Sequence, residues 1–304
     1  MAPAAHDNSK NGAPTPPPPM AAVTAITNPI SQDQYWAFYN DANNQLGVAQ
    51  QFKRDLGAPL YDFSSSAVSD VPTGALANPS SMCCVSFQSQ VNVYGVLQGN
   101  TQGDLLVCRL SPGFQLLNLL NPPLANSSSI AACSDGGNNG TLFYLTQDAT
   151  QTYVINYITL PGIQSAPRPT NINISLNPKT YLGAAYGSLT AATITQANGR
   201  DNTPIAMVFV GNRLVVYFFG SATSTNPSPV YRAVTEDLNN FTFTNLTNAP
   251  SPNGYTQLAV FPNAGPQNDG LGTTILTYVE FESNQLVSWE DDLSKYKVSG
   301  AGYS

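Results

Sequence analysis

Five degenerate copies of one pattern run along the 304 residues: a short strand of small residues, an aromatic hairpin and an outer strand. No amphipathic helix separates the copies, and alanine crowds their first strands, as an innermost strand near a central axis requires. Together these observations predict an all-β chain, a β-propeller of four-stranded antiparallel blades. Five blades are expected, with six as the alternative, and a β-sandwich or β-solenoid is the competing architecture.

The clearest copy is 205–219, IAMVFVGNRLVVYFF, where two β-branched and aromatic runs flank the break Gly211-Asn212-Arg213. Related hairpins occupy 35–52 and 275–289, broken at Asn44-Gln45-Leu46 and Asn284-Gln285-Leu286, and looser ones fill 91–110 and 141–158. Leu46, Leu105, Thr152, Leu214 and Leu286 mark the same point in each copy. A hairpin cannot bury its apolar faces alone, so the copies are expected to pack as one domain over 21–304.

In chain order, the Pro- and Ala-rich stretch 1–20 buries too little apolar surface to offset its ordering entropy and is expected to be a disordered tail. Residues 21–26 read as a strand, either the inner strand of the first copy or the piece that completes the fifth. A long polar connection follows over 55–81. The second copy opens at Cys83 and ends in FQLLNLL (114–120). The third opens at Ser129 and ends near Asn173. The fourth opens at Leu189 with LTAATI, takes the central hairpin as its second and third strands and adds PVYRAV (229–234). The fifth opens at Tyr255. Ala131, Ala132, Ala191, Ala192 and Ala259 are the small first-strand residues.

Composition excludes several functions. Net charge is −7 and the isoelectric point about 4.5, so no electrostatic footprint for nucleic acid exists. There is no basic cluster for an anionic membrane, and no apolar run near the roughly 20 residues of a spanning helix. Charged residues make up only 10% of the chain, and Ser, Thr, Asn and Gln supply the polar surface, as in many secreted proteins. Five N-x-[ST] sequons, at Asn126, Asn139, Asn173, Asn240 and Asn245, mostly in expected loops, also point to an oxidising compartment. Residues 1–20 lack a signal-peptide core, so a secreted protein whose leader precedes Met1 is expected.

The four cysteines, Cys83, Cys84, Cys108 and Cys133, have no zinc-site spacing. They are disulfide candidates with three open pairings, or small buried thiols. Cys83 and Cys84 point to opposite faces if they share a strand. His6 is the one histidine and lies in the tail, so a hydrolytic triad lacks its base and no transition-metal site is expected. The run Glu290-Asp291-Asp292 lacks a calcium-loop pattern and reads as a solvated edge. Gly136-Gly137 and Gly270-Leu271-Gly272 match no phosphate-binding fingerprint and read as turns.

What remains is aromatic and hydrogen-bonding chemistry, from 15 Tyr, 13 Phe and 2 Trp with few cations. In a ring of blades, ligands enter at the axial mouth or between blades, where an apolar wall carries a few donors. The first and last copies meet in a closed ring. They bring Tyr35, Trp36, Tyr39 and Trp289 as candidate substrate-binding residues and Tyr255 and Lys295 as candidate catalytic donors. Arg213, at the break of the central hairpin, is the third catalytic candidate. Arg109 and Arg232 are the other placed cations.

The order of small-residue strand, aromatic hairpin and outer strand resembles the fungal fucose-specific lectin propellers over about 21–297, with Trp289-Glu290 as the one adjacent echo of their binding set. That resemblance implies fucose bound between blades. The chain also looks like the fungal hetero-Diels–Alderases of tropolone–sesquiterpene biosynthesis. This second resemblance implies a cofactor-independent pericyclase. Such an enzyme joins an o-quinone methide, from a tropolone or phenol, to a humulene-type alkene, both small apolar substrates. Orientation of two reactants and donors on the quinone methide oxygen supply the rate in such a reaction.

Overall fold

A computed structural model of the chain describes residues 22–41, 43–56, 61–63, 74–77, 81–99, 105–117, 130–134, 137–147, 153–160, 204–211, 213–220, 228–236, 241–253, 256–264 and 271–296. The expected tail, Tyr255, the LTAATI segment and the sequons at Asn126, Asn173 and Asn240 lie outside these residues.

Five antiparallel sheets are present among the described residues, each an up-and-down meander in chain order. The first contains β1 (Val23–Thr27), β2 (Gln34–Asn40), β3 (Leu46–Phe52) and β4 (Tyr61–Phe63). The second contains β5 (Met82–Phe87), β6 (Gln90–Gln98), β7 (Leu105–Ser111) and β8 (Gln115–Leu116). The third has β9 (Ile130–Ser134), β10 (Gly140–Gln147) and β11 (Tyr153–Leu160). The fourth has β12 (Ile205–Val210), β13 (Arg213–Phe219), β14 (Val230–Thr235) and β15 (Thr242–Asn245). The fifth has β16 (Ala259–Ala264), β17 (Thr273–Val279) and β18 (Leu286–Asp292). First strands lie side by side in the order β9, β5, β1, β16, β12, which puts the first and last sheets next to each other. The chain is a β-propeller and each sheet is a blade.

Strand alternation gives every blade two apolar faces, and the core is the set of seams between blades. Tyr35 and Ala37 of the first blade meet Phe261 and Ile275 of the fifth. On the other face of β2, Phe38 joins Met82, Val93 and Leu110 of the second blade. Val85 and Tyr94 meet Leu142 and Tyr144 of the third blade. Tyr217 and Phe219 of the fourth meet Leu276 and Tyr278 of the fifth.

Side chains, not a shared strand, join the first and last blades. Gln257, just ahead of β16, accepts from Val23 N and Met82 N at 3.0 Å each and donates to Ser81 Oγ at 2.8 Å. Ser81 Oγ accepts in turn from Ile130 N at 3.2 Å. One amide thus satisfies the first N–H groups of two innermost strands, which no ladder reaches.

Several expectations change. The strand at 21–26 is the inner strand of the first blade; it pairs with β2, and its bonds to the fifth blade run through the side chains of Gln257 and Thr27 rather than through a ladder. The connection at 55–81 contains β4, which pairs with β3, and an isolated bridge between Leu76 and Leu97. The central hairpin supplies the first and second strands of its blade, not the second and third, because β12 itself stands against β16. Asn245 lies on β15 rather than in a loop, paired with Tyr231; Asn139 sits exposed in the turn before β10.

The disulfide expectation is corrected: Cys83, Cys84, Cys108 and Cys133 are free thiols. Cys83 and Cys84 do point to opposite faces of β5, but that separates them into two seams. Cys108 shares the seam of Cys84 from β7, with β6 lying between their strands. Cys84 Sγ accepts from Thr24 Oγ1 at 3.1 Å, and Cys108 Sγ donates to the Gly95 carbonyl at 3.5 Å.

Candidate functional site

The densest polar chemistry lies in the seam between the fourth and fifth blades, and two cross-strand pairs build it. On the fourth blade Tyr217 of β13 stands opposite Arg232 of β14. On the fifth, Thr274 of β17 stands opposite Asp291 of β18. Directly opposed residues project to the same face of a sheet, so the two pairs confront one another across the seam. Arg232 Nη1 donates to Asp291 Oδ1 at 2.5 Å and Oδ2 at 2.6 Å. Tyr217 Oη donates to Asp291 Oδ2 at 2.7 Å and lies 2.6 Å from Thr274 Oγ1. Arg232 is only 2% exposed and Asp291 3%, so this ion pair is sealed among apolar side chains.

Burial pushes the Asp291 carboxyl up, with Arg232, Tyr217 and Lys295 pulling the other way. Burial also opposes the charge of Arg232, but Asp291 and its neighbours more than restore it, leaving the guanidinium firmly protonated. Tyr217 is raised by burial and by the adjacent Asp291 charge, so its phenol stays a donor.

Past β18 the chain turns back, and Tyr296 covers this cluster. Its backbone N–H donates to Leu293 O at 2.9 Å, and its carbonyl accepts from Leu271 N at 3.1 Å. Its Oη lies 3.4 Å from Arg232 Nη2 and 3.4 Å from Thr244 Oγ1 of β15. Three cations approach the ring: Arg232 Cζ at 5.1 Å from its centroid, Lys295 Nζ at 5.3 Å and Arg213 Cζ at 5.7 Å. Arg213, opening β13, forms an ion pair with Glu236. Arg232 Nε finds no acceptor among the described residues.

Two of the three expected catalytic residues, Arg213 and Lys295, therefore meet at one ring; Tyr255 lies outside the described residues. Trp289 flanks the same seam, two positions before Asp291 on the same face of β18. The other aromatic candidates go elsewhere. Tyr35 is fully buried between the fifth and first blades, its ring 5.0 Å from Phe261 and its hydroxyl on Gln51. Tyr39 flanks that seam too, while Trp36, one position along β2 from Tyr35, faces the second blade. Alternation along β2 forces that division.

The acidic run also divides. Glu290 and Asp292 are exposed, Glu290 Oε1 accepting from Asn263 and Thr273 at 2.6 Å each. Asp291 points inward, onto Arg232 and Tyr217, which the reading of a solvated edge missed. Period two along β18 was the available signal. Among the described residues no group of three or more His, Cys, Asp or Glu side chains is placed to hold a metal, and no helix is long and apolar enough to cross a membrane.

No family model matches the chain. A wall-associated proteinase of Coccidioides immitis (strain RS) is 30% identical over 150 residues, covering 48% of this chain and 47% of that protein. The chain thus spans about half the length of the curated relative it matches. Among solved structures, a GH43 endo-arabinanase from Bacillus licheniformis superposes with a TM-score of 0.46 at 9% identity, over 92% of this chain and 96% of that one. The fucose-specific lectin from Aleuria aurantia superposes with a TM-score of 0.42 at 12% identity, over 92% of this chain and 81% of the lectin.

Proposed function

We propose that the chain is an extracellular, sugar-binding propeller of the lectin type, with its site at the seam between the fourth and fifth blades. The carrying observation is the half-buried Tyr296 ring with Arg213 and Lys295 at its rim and the Arg232–Asp291 pair fixed behind it. A sugar offers an apolar C–H face and a fringe of hydroxyls. An aromatic ring set among charged, rigid donors and acceptors complements both. The wall association in the relative's name and the exposed sequon asparagines Asn139 and Asn245 support the extracellular setting.

Binding suits this seam better than glycoside hydrolysis. A hydrolase needs two carboxyl groups flanking the scissile bond. Here Asp291 is locked by Arg232 and Tyr217, and Glu236 by Arg213. The cycloaddition expected from the resemblance to the hetero-Diels–Alderases calls for one apolar chamber. Tyr35, Trp36 and Trp289 stand in three different seams, so sugar binding is the reading advanced.

Calorimetric titration with a panel of methyl glycosides, methyl α-fucoside included, tests it. One site per chain is expected, weakened at least tenfold in Tyr296→Ala. Absence of heat at millimolar sugar across the whole panel would remove the proposal, and conversion of an o-quinone methide and humulene to an enantioenriched adduct would replace it.

A further inference from the structure

We infer that Asn245 carries an N-linked glycan whose first sugar lies on the ring of Phe243, so that carbohydrate covers the outer edge of the fourth blade. The inference rests on the extracellular setting proposed above and is independent of sugar binding at the Tyr296 seam. Phe243 calls for it. The side chain is large, apolar and 41% exposed, on the strand β15 that ends its sheet. Its ring is nevertheless held in place, by Phe218 edge-on at 6.3 Å between centroids and by Phe241 also at 6.3 Å. Phe218 in turn stacks on Tyr231 at 5.5 Å.

Asn245 follows Phe243 by two residues in β15, so both side chains leave the same face of the strand, opposite Tyr231 and Ala233 of β14. Asn245 is exposed, and so is Thr247, in the turn where Ala249 N donates to Leu246 O at 3.0 Å. Asn245-Leu246-Thr247 is therefore a sequon whose acceptor residue and hydroxyl residue both reach solvent. Of the five sequons it alone has an aromatic residue two positions ahead of its asparagine; Leu124, Gly137, Asn171 and Leu238 stand there in the others. Two residues of strand span about 6.6 Å, so an N-acetylglucosamine on Asn245 can turn its apolar C–H face onto the neighbouring ring. Attachment is a substitution. Asn245 Nδ2 bonds to C1 of the sugar, the bond from C1 to the pyrophosphate oxygen of a lipid-linked oligosaccharide donor breaks, and the amide loses one proton. The attached, hydrated chain would also keep the open backbone edge of β15 from pairing with another sheet.

The test secretes the full chain from a eukaryotic host behind a secretion leader and reads each sequon by peptide mass spectrometry, where a glycan is expected on Asn245. Urea midpoints are then compared for the parent and for Thr247→Ala, which blocks attachment and keeps both Phe243 and Asn245. Each is measured with Phe243 intact and as Phe243→Ala. Loss of the glycan is expected to lower the folding equilibrium constant about fivefold where Phe243 is present, and to leave it unchanged in Phe243→Ala. The same four chains made in the bacterial cytoplasm, where no glycan is added, should show no dependence of Thr247→Ala on Phe243. An unmodified Asn245 beside a modified Asn139 overturns the inference, and an equal effect of Thr247→Ala in both backgrounds overturns the stacking. Absence of modification at every sequon of the secreted chain overturns the inference and removes the sequons as support for the extracellular setting; the glycoside titrations still decide sugar binding on their own.

Discussion

Gln257 Nε2 donates to Ser81 Oγ at 2.8 Å across 176 residues of chain, and the same side chain accepts from the N–H groups of Val23 and Met82. Three blades therefore meet at one amide. Gln257→Ala strands two strand-initial N–H groups, while the Ser81 hydroxyl keeps its bonds to Ile130. A loss of about 2–4 kcal/mol is expected, given the cost of leaving such groups unpaired. Urea denaturation measures it; an unchanged midpoint would mean that water replaces the amide without penalty.

Asp291→Ala leaves Arg232 charged and without its carboxylate inside an apolar seam, and a cost of about 3–5 kcal/mol is expected. The double change Arg232→Met with Asp291→Leu removes both charges and should cost much less than Asp291→Ala alone. Tyr217→Phe, which deletes the hydroxyl shared by Asp291 and Thr274, should cost about 1–2 kcal/mol. Thermal melts of the four proteins check the order.

Burial pushes the thiols of Cys84 and Cys108 up to about 12 and that of Cys133 to about 11, and it raises Cys83 well above the ordinary thiol range as well. Reaction runs through the thiolate, so the native protein at pH 8 should consume almost no thiol reagent. In guanidinium without reductant all 4 cysteines should react, since none is in a disulfide.

The same shifts fix the alkaline limb of stability. A thiol whose pKa is raised by folding stabilises the native state below its unfolded value, 9.0. That contribution is lost as pH climbs towards 11 and 12. Tyr35, Tyr94 and Tyr278, also raised by burial, act in the same direction. The melting temperature should be flat up to about pH 9 and fall steadily above it; a flat profile to pH 11 would contradict the burial of these groups.

Gly95 of β6 faces Leu110, and a β-carbon there would stand 2.6 Å from Leu110 Cδ1. Leu110 has no exposed surface and cannot swing away. Gly95→Ala should cost about 1–3 kcal/mol, the range for overpacking. Adding Leu110→Val should recover part of that loss, read as a non-additive urea midpoint.

The blade pattern was legible wherever strands alternate cleanly. The hairpins around Asn44, Asn212 and Asn284 and the alanines at Ala131 and Ala259 mark real strand positions. The frame of the fourth blade was not. Matching its hairpin to the others by the Asn-x-Leu break shifts it by one strand, because only β12 packing on β16 defines which strand is innermost. Arg213 and Lys295 were visible as rare cations. The pairing of Arg232 with Asp291 was hidden by 59 residues of separation and by two acidic neighbours that disguise an inward-pointing aspartate. Tyr35 and Trp36, adjacent in sequence, seemed a joint binding surface until the pleat of β2 parted them.

Val23 of β1 and Gln257 are 234 residues apart, and Val23, Ala25 and Tyr35 find their cover in Ala259, Phe261 and Ile275. At roughly 5–20 residues per second of translation, the first blade leaves the ribosome about ten to fifty seconds before that cover exists. One apolar flank therefore stays wet through most of synthesis. Completion of the ring, a contact of very high sequence separation, is the expected slow and aggregation-exposed event of its biogenesis.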